Sequence, residues 1–331
     1  MRVAAYREHG STDNIKLEDW PMPEPGPGEA LVRIKAAGFN GFDPMILDAT
    51  TSLKNPLPMV PCGDGAGVVE ALGEGVTDCD VGDRVSILPY GDFGMMGETA
   101  LGCAREYALV PQSNLLPMPE GLSFEDAAAL PVAYGTAYRM MIHRGKVTTG
   151  ETILILAASG GVGICCLQLA KSVGASVIAC ASGPEKAQRL RALGADHVID
   201  TSKEDWFEQT RAIAGKARVS GEGGVDVVVN YLGGDSWAKS LKLIKLGGRM
   251  LTCGATTGYA PQTDIRYIWS FEQTIIGSDG WTREDQHHLM DLAAKGKLRP
   301  VLHCVRPLEE TAQTMQEMID RKVFGKAIIT P

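Results

Sequence analysis

The 331-residue chain lacks several common features, and each lack narrows its chemistry. Its eight cysteines, at positions 62, 79, 103, 165, 166, 180, 253 and 304, include no C-x-x-C pair. That scatter argues against a disulfide framework and reads as reduced, mostly buried thiols. No apolar core follows the first charge of Met1-Arg2-Val3-Ala4-Ala5-Tyr6, so no signal peptide is expected. There is no excess of basic residues: the net charge is −8. An extended nucleic-acid or membrane surface is therefore not expected, although a local basic pocket is compatible with that charge. One uncharged run lies between Glu151 and Lys171, but Ser159, Gly160, Gly161 and Gly163 interrupt it. The halves, one β-branched and one helical, are each short for a membrane span. A cytoplasmic protein without nucleic-acid or membrane partners is the expectation.

With 44% hydrophobic and 22% charged residues, the chain has the profile of an ordinary globular protein. At roughly 100–200 residues per domain, two domains are expected. The first third alternates with a period of two at residues 30–36 and has further short strands at 68–69, 84–88 and 107–110. Gly and Pro punctuate them, as in Pro25-Gly26-Pro27-Gly28 and Gly82-Asp83, which predicts a barrel-like β domain.

From about residue 123, where Ser123 can cap a helix bearing Glu125 and Asp126, the texture changes. Strands are predicted at 152–157, 176–181, 197–199, 225–230, 249–253 and 274–276. Helices are predicted at 162–173, 184–193, 204–214 and 236–246, the last stopped by Gly247-Gly248. Alternation of this kind specifies an α/β fold with a doubly wound parallel sheet. The boundaries read as a first part over 1–122, a dinucleotide-binding domain over 123–270, and a return over 271–331.

The sharpest motif is Ala157-Ala158-Ser159-Gly160-Gly161-Val162-Gly163, which follows an apolar strand and opens a helix. A helix N-terminus offers free N–H groups and partial positive charge, and glycines let a pyrophosphate approach closely. The alternative is a plain Gly-rich turn, which the strand–turn–helix context disfavours. Ala158 takes the first glycine position of G-x-G-x-x-G. At the end of the second strand, where an NAD site usually carries Asp or Glu, the sequence reads Cys180-Ala181-Ser182-Gly183-Pro184-Glu185-Lys186. No carboxylate stands there, while Ser182 and Lys186 are available to a 2′-phosphate, so NADPH is the expected cofactor. The bland reading of Lys186 is a solvated helix lysine.

These residues carry a resemblance to the medium-chain dehydrogenase/reductase superfamily, in particular its zinc-free quinone oxidoreductase branch. The matching segments are Pro61-Cys62-Gly63-Asp64-Gly65-Ala66-Gly67, Gly82-Asp83-Arg84-Val85, Ala129-Leu130-Pro131-Val132-Ala133-Tyr134-Gly135-Thr136-Ala137-Tyr138, residues 159–163, and Leu193-Gly194-Ala195-Asp196-His197-Val198-Ile199-Asp200. The resemblance implies a GroES-like β-barrel domain, a Rossmann domain, and an active site between them. It places Thr136 near the nicotinamide phosphate and Cys253, Gly254 and Ala255 along the nicotinamide. Lys186 would bind the 2′-phosphate, and Asn40 would face the nicotinamide as the candidate catalytic residue. It also implies a homodimer formed through an edge of the Rossmann sheet. Thr201 and Met45 stand where some relatives carry an aromatic residue.

Zinc-using relatives place a Cys or His at the position of Asn40 and a His at that of Gly63; here neither is a ligand. Between Leu88 and Val110 only Cys103 is available for a structural-zinc lobe. His287 and His288 read as solvated helix residues, and Cys165 and Cys166 as helix packing. No metal is expected. Three functions fit: an NADPH-dependent reductase of a small-molecule enone or quinone; a zinc-free alcohol dehydrogenase or carbonyl reductase; and an NADPH-binding protein with little turnover. Asp43 and Asp64 are candidates for a proton relay, with turn stabilisation as the alternative.

Overall fold

The computed structural model describes residues 1–51 and 55–331. The chain forms two compact units, Met1–Gly135 with Thr282–Pro331, and Thr136–Trp281.

The second unit is built on a six-stranded parallel sheet. Its strands lie in the order His197–Asp200, Ser176–Ala181, Thr152–Ile155, Val225–Val229, Ile244–Thr252 and Thr274–Gly277. In sequence rank this is 3-2-1-4-5-6, the order of a dinucleotide-binding Rossmann sheet. The central strands are near-continuous apolar runs because helices cover both faces of such a sheet. Leu154, Ile178, Val228 and Met250 are fully buried in one core cluster. The uncharged run between Glu151 and Lys171 resolves into the first strand, a turn, and the helix Gly161–Ser172. No helix among the described residues is long and apolar enough to cross a membrane.

Two elements differ from the sequence expectation. The helix expected over 236–246 runs Gly234–Leu241 and stops before Leu243 and Ile244, which are buried. The next strand already begins at Ile244, so Gly247-Gly248 lies inside a strand rather than ending a helix. The register against the fourth strand shifts between Val225 and Val227, and glycine commonly marks such irregularities. The helix expected from 204 starts at Trp206, because the Asp205 carboxylate caps it by accepting from Phe207 N–H at 2.8 Å.

The first unit holds a seven-stranded sheet in the order Leu302–Pro307, Lys326–Thr330, Glu29–Gly38, Asp64–Leu72, Arg84–Ile87 and Leu115–Pro117, with Tyr107–Pro111 also paired to Glu29–Gly38. The C-terminal strand Lys326–Thr330 pairs antiparallel with Glu29–Gly38, so the end of the chain closes the β unit begun by its start. The units divide at 135/136 and 281/282, rather than at the expected 122/123 and 270/271. Phe124–Ala129 packs on strands Glu29–Gly38 and Asp64–Leu72 with Ala127, Ala128 and Ala129 fully buried, which keeps it in the β unit. Thr274–Gly277 pairs with Ile244–Thr252, which keeps it in the parallel sheet.

Candidate functional site

The turn after the central strand of the parallel sheet has the geometry of a phosphate cradle. Leu156 N–H reaches Val229 O at 3.1 Å and Ala158 N–H reaches Cys180 O at 2.8 Å, which ties the turn to both neighbouring strands. The tight bend sits at Ala157, whose φ of 49° is left-handed, one residue before the position expected from the glycine motif. An alanine there costs roughly 1–2 kcal/mol. The phenol of Tyr231 donates to Ala157 O at 2.8 Å and holds the bend. Burial raises that phenol well above its ordinary value, so it stays a donor.

The helix Gly161–Ser172 then begins without any side-chain cap, and its first internal bond is Ile164 N–H to Gly160 O at 2.9 Å. The N–H groups of Gly161, Val162 and Gly163 precede that bond, at the positive end of the helix. A Cβ on Gly163 would lie 2.6 Å from Ala158 Cα, so only glycine lets helix and turn approach this closely. A Cβ on Gly160 would meet nothing nearer than Ala157 O at 3.9 Å, leaving open space above the turn. Ser159 and Val162 are half-buried beside it. Uncapped N–H groups facing open space fit a pyrophosphate.

At the end of the second strand Ala181 is buried and Ser182 exposed; Lys186 is half-buried in the first turn of the helix Pro184–Ala192. Gly183, at φ 100°, donates its N–H to Asp200 Oδ1 at 2.8 Å. The Ser202 hydroxyl at 2.6 Å and that N–H hold the Asp200 carboxyl below its usual range. Sequence reasoning gave Asp200 no role, although it closes the third strand directly beside Ala181.

After the fourth strand, fully buried Asn230 accepts from Leu232 N–H and Gly233 N–H at 3.0 and 3.1 Å. It also donates to Ser236 and Ser240 and so fixes the adjoining loop. After the fifth strand come half-buried Cys253, exposed Gly254 and half-buried Ala255. Burial pushes the Cys253 thiol up to about 12, which makes it a poor nucleophile. Thr136 is half-buried on the helix Pro131–Tyr138, which continues as a π-helical stretch at Arg139–Arg144.

In the β unit, the Asn40 turn is the hub of a buried charge network. Lys326 Nζ, 2% exposed, donates to Asp64 Oδ2 at 2.8 Å, to Asn40 Oδ1 at 2.6 Å and to Phe39 O. Asp64 Oδ1 also accepts from Val132 N–H at 2.9 Å. Asp43 accepts from Asn40 N–H at 2.6 Å and Cys62 N–H at 2.9 Å, which pins Cys62 at a left-handed φ of 72°. Burial pushes Asp43 up to about 7 and also raises Asp64, while Lys326 acts in the opposite sense on both.

Asn40 is itself 4% exposed; its Nδ2 lies 3.5 Å from Gly38 O, too long for a firm hydrogen bond, and its side chain also bonds the Asp64 carboxyl and helps to hold that carboxyl down. The sequence signal for Lys326 was a single lysine opening an otherwise apolar strand, Lys326-Ala327-Ile328-Ile329.

The donor set of this turn does not fit tetrahedral zinc. Both carboxylates are already held by backbone N–H groups or by Lys326, and a Cβ at Gly63 would lie 2.8 Å from Met96 O. No group of three His, Cys, Asp or Glu side chains suited to a metal occurs among the described residues. His287 and His288 are both exposed on the helix Arg283–Ala294, and Cys165 and Cys166 are fully buried.

Two family models match the chain: "Alcohol dehydrogenase GroES-like domain" over residues 26–120 and "Zinc-binding dehydrogenase" over residues 161–295. The chain is 32% identical to the synaptic vesicle membrane protein VAT-1 homolog of Rattus norvegicus, covering 100% of this chain and 84% of that protein. It is 30% identical to the quinone oxidoreductase of Rattus norvegicus, covering 99% and 97%. A crystal structure described as an NAD-dependent alcohol dehydrogenase superposes with a TM-score of 0.90 at 34% identity, with full coverage of both chains.

Proposed function

Because the chain belongs to the medium-chain dehydrogenase/reductase superfamily and is an oxidoreductase of that group, whose members use a nicotinamide cofactor, we propose that it reduces a conjugated carbonyl, an enone or quinone, with NADPH and without zinc. NADPH, when bound, supplies the hydride.

The chain's own groups do the rest. The N–H groups of Gly161, Val162 and Gly163 bind the pyrophosphate, with Ser159 and Gly160 forming the turn. Ser182 and Lys186 bind the 2′-phosphate, and Thr136, Cys253, Gly254 and Ala255 border the nicotinamide. Asn40 Nδ2, held only loosely by Gly38 O at 3.5 Å, donates to the oxygen on which charge develops. A conjugated acceptor spreads that charge into an enolate or quinol anion, which needs less stabilisation than the alkoxide that zinc serves as a Lewis acid. Likeness to the rat quinone oxidoreductase supports this acceptor class. The cofactor preference rests on one observation: the second strand itself ends in buried Ala181, with no carboxylate of its own to bond a ribose 2′-OH, while the neighbouring Asp200 carboxylate is engaged by Gly183 N–H and Ser202.

The cofactor reading is tested by steady-state kinetics with both dinucleotides. NADPH should give the higher kcat/KM, Lys186→Ala should raise the KM for NADPH selectively, and Ala181→Asp should shift preference to NADH. A wild type that uses NADH at least as well as NADPH overturns it. A zinc-free alcohol dehydrogenase or carbonyl reductase is the second reading, favoured by likeness to the structure described as an NAD-dependent alcohol dehydrogenase. Tight NADPH binding with negligible turnover would select the third, a binding protein.

We take the working form to be a cytoplasmic homodimer. Supporting the dimer, the edge strand Thr274–Gly277 is largely exposed, and Ile265 and Trp269 on the helix just before it are 66% and 70% exposed.

A further inference from the structure

The β unit contains a cavity of about 410 Å³ that the reading above does not use. Trp20, Pro23, Phe93, Met96 and Leu109 line it; Arg105 and Glu29 supply charged side chains, and Met1 also lines it, its α-ammonium engaged by Trp20 O at 2.7 Å. We infer that this cavity binds a small organic monoanion, a carboxylate on an apolar body, with the Arg105 guanidinium as its anchor.

Arg105 is 8% exposed, and its Nε is buried with no hydrogen-bond partner. Among the described residues its one side-chain bond is from Nη2 to Leu101 O, at 3.3 Å. Among the described residues no carboxylate pairs with it, and burial pulls the guanidinium below its ordinary value. A buried guanidinium in that state is costly, because charges inside proteins are ordinarily paired.

The local backbone explains why the nearest acid does not help. Residue 105 makes an isolated antiparallel bridge to Val3, and the chain bends at Glu106. Glu106 is engaged by Arg2 instead, through Nε at 2.9 Å and the Arg2 backbone N–H at 2.7 Å. The planar guanidinium fork, with most of its N–H groups unengaged, matches a carboxylate in geometry.

The apolar wall selects an apolar body, and the volume lies in the range of ordinary small-molecule pockets, roughly 300–1,000 Å³. Glu29 sets the charge. Its Oε2 accepts from Gly26 N–H at 3.1 Å, and its negative charge beside the cavity disfavours a dianion such as phosphate.

The test uses the intact protein with octanoate as the probe, and 1-octanol and inorganic phosphate as controls for the tail and for charge alone. Calorimetric titration should show one octanoate per chain, unchanged by saturating NADPH, and no comparable binding of either control. Arg105→Met keeps the length and apolar contact of the side chain and should lower octanoate affinity by roughly ten- to a hundredfold, the worth of a charge-assisted bond. If Arg105→Met does not fold, Ala100→Trp, which fills the cavity from its wall, should abolish octanoate binding instead. Absence of octanoate binding to the folded wild type overturns the inference. So does competition with NADPH, wild-type affinity in whichever variant folds, or octanol binding as tightly as octanoate.

Discussion

Replacing Lys326 by methionine tests whether the buried network organises the Asn40 turn. The substitution keeps the length of the side chain but removes the ammonium that Asp64, Asn40 and the Phe39 carbonyl share. Asp64 is then left fully buried with Val132 N–H and the Asn40 side chain, both uncharged, as its remaining partners. Removing one member of a buried ion pair costs about 3–5 kcal/mol, because the surviving charge is uncompensated. At roughly 2–4 °C per kcal/mol for units of this size, the melting midpoint should fall by about 6–20 °C.

The pH dependence carries a further signature. Burial already raises the Asp64 carboxyl in the folded state, and losing Lys326, which lowers it, raises it further. A carboxyl whose folded pKa lies above its unfolded value destabilises the fold above that pKa, and the penalty declines as pH falls toward the unfolded value. The deficit of Lys326→Met relative to wild type should therefore be smaller at pH 5 than at pH 8. The double variant Lys326→Met/Asp64→Asn should recover much of it. Urea unfolding at both pH values measures this directly. A deficit under about 1 kcal/mol, or one equal at both pH values, would refute the reasoning.

Gly163→Ala forces a Cβ to within 2.6 Å of Ala158 Cα. It should cost about 1–3 kcal/mol and weaken dinucleotide binding at least severalfold in a fluorescence titration; unchanged affinity would mean that the helix need not approach the turn. Tyr231→Phe deletes the hydroxyl that holds Ala157 O, so it should destabilise by about 1 kcal/mol and raise the dinucleotide Kd more than it changes kcat. Equal Kd values for variant and wild type would remove Tyr231 from the cradle. Asp43, pushed up to about 7 by burial, takes up a proton on folding at pH values between its unfolded and folded pKa. It should make stability fall as pH rises from about 4 to 7, by on the order of 4 kcal/mol, and Asp43→Asn should flatten that slope.

The parallel sheet was legible because its central strands are buried on both faces and read as apolar runs such as Val177-Ile178-Ala179-Cys180-Ala181, each followed by a helix. The strand–turn–helix at residues 152–172 was legible for the same local reason: its glycines sit where strand becomes helix. The strand containing Gly247-Gly248 was misread because a glycine pair also marks helix ends, and only the tertiary pairing with Val225–Val229 separates the two cases. The site's supports were hidden by distance in sequence. Tyr231 meets Ala157 across two strands, and Lys326 reaches Asn40 from the far end of the chain through the closure of the β sheet. Asn40 itself was visible, but its burial against Lys326 was not, because no local pattern reports a long-range ion pair.

Hydride delivery from NADPH to a conjugated carbon is the central claim, and matched substrate pairs test it most directly. Each pair is an enone and its saturated ketone, assayed with NADPH under the same conditions, so that size and hydrophobicity largely cancel. The account predicts a clearly higher kcat/KM for every enone, together with product saturated at the carbon–carbon double bond and its carbonyl intact. A higher kcat/KM for the saturated ketones, with alcohol as the product, would contradict it and select the carbonyl-reductase reading.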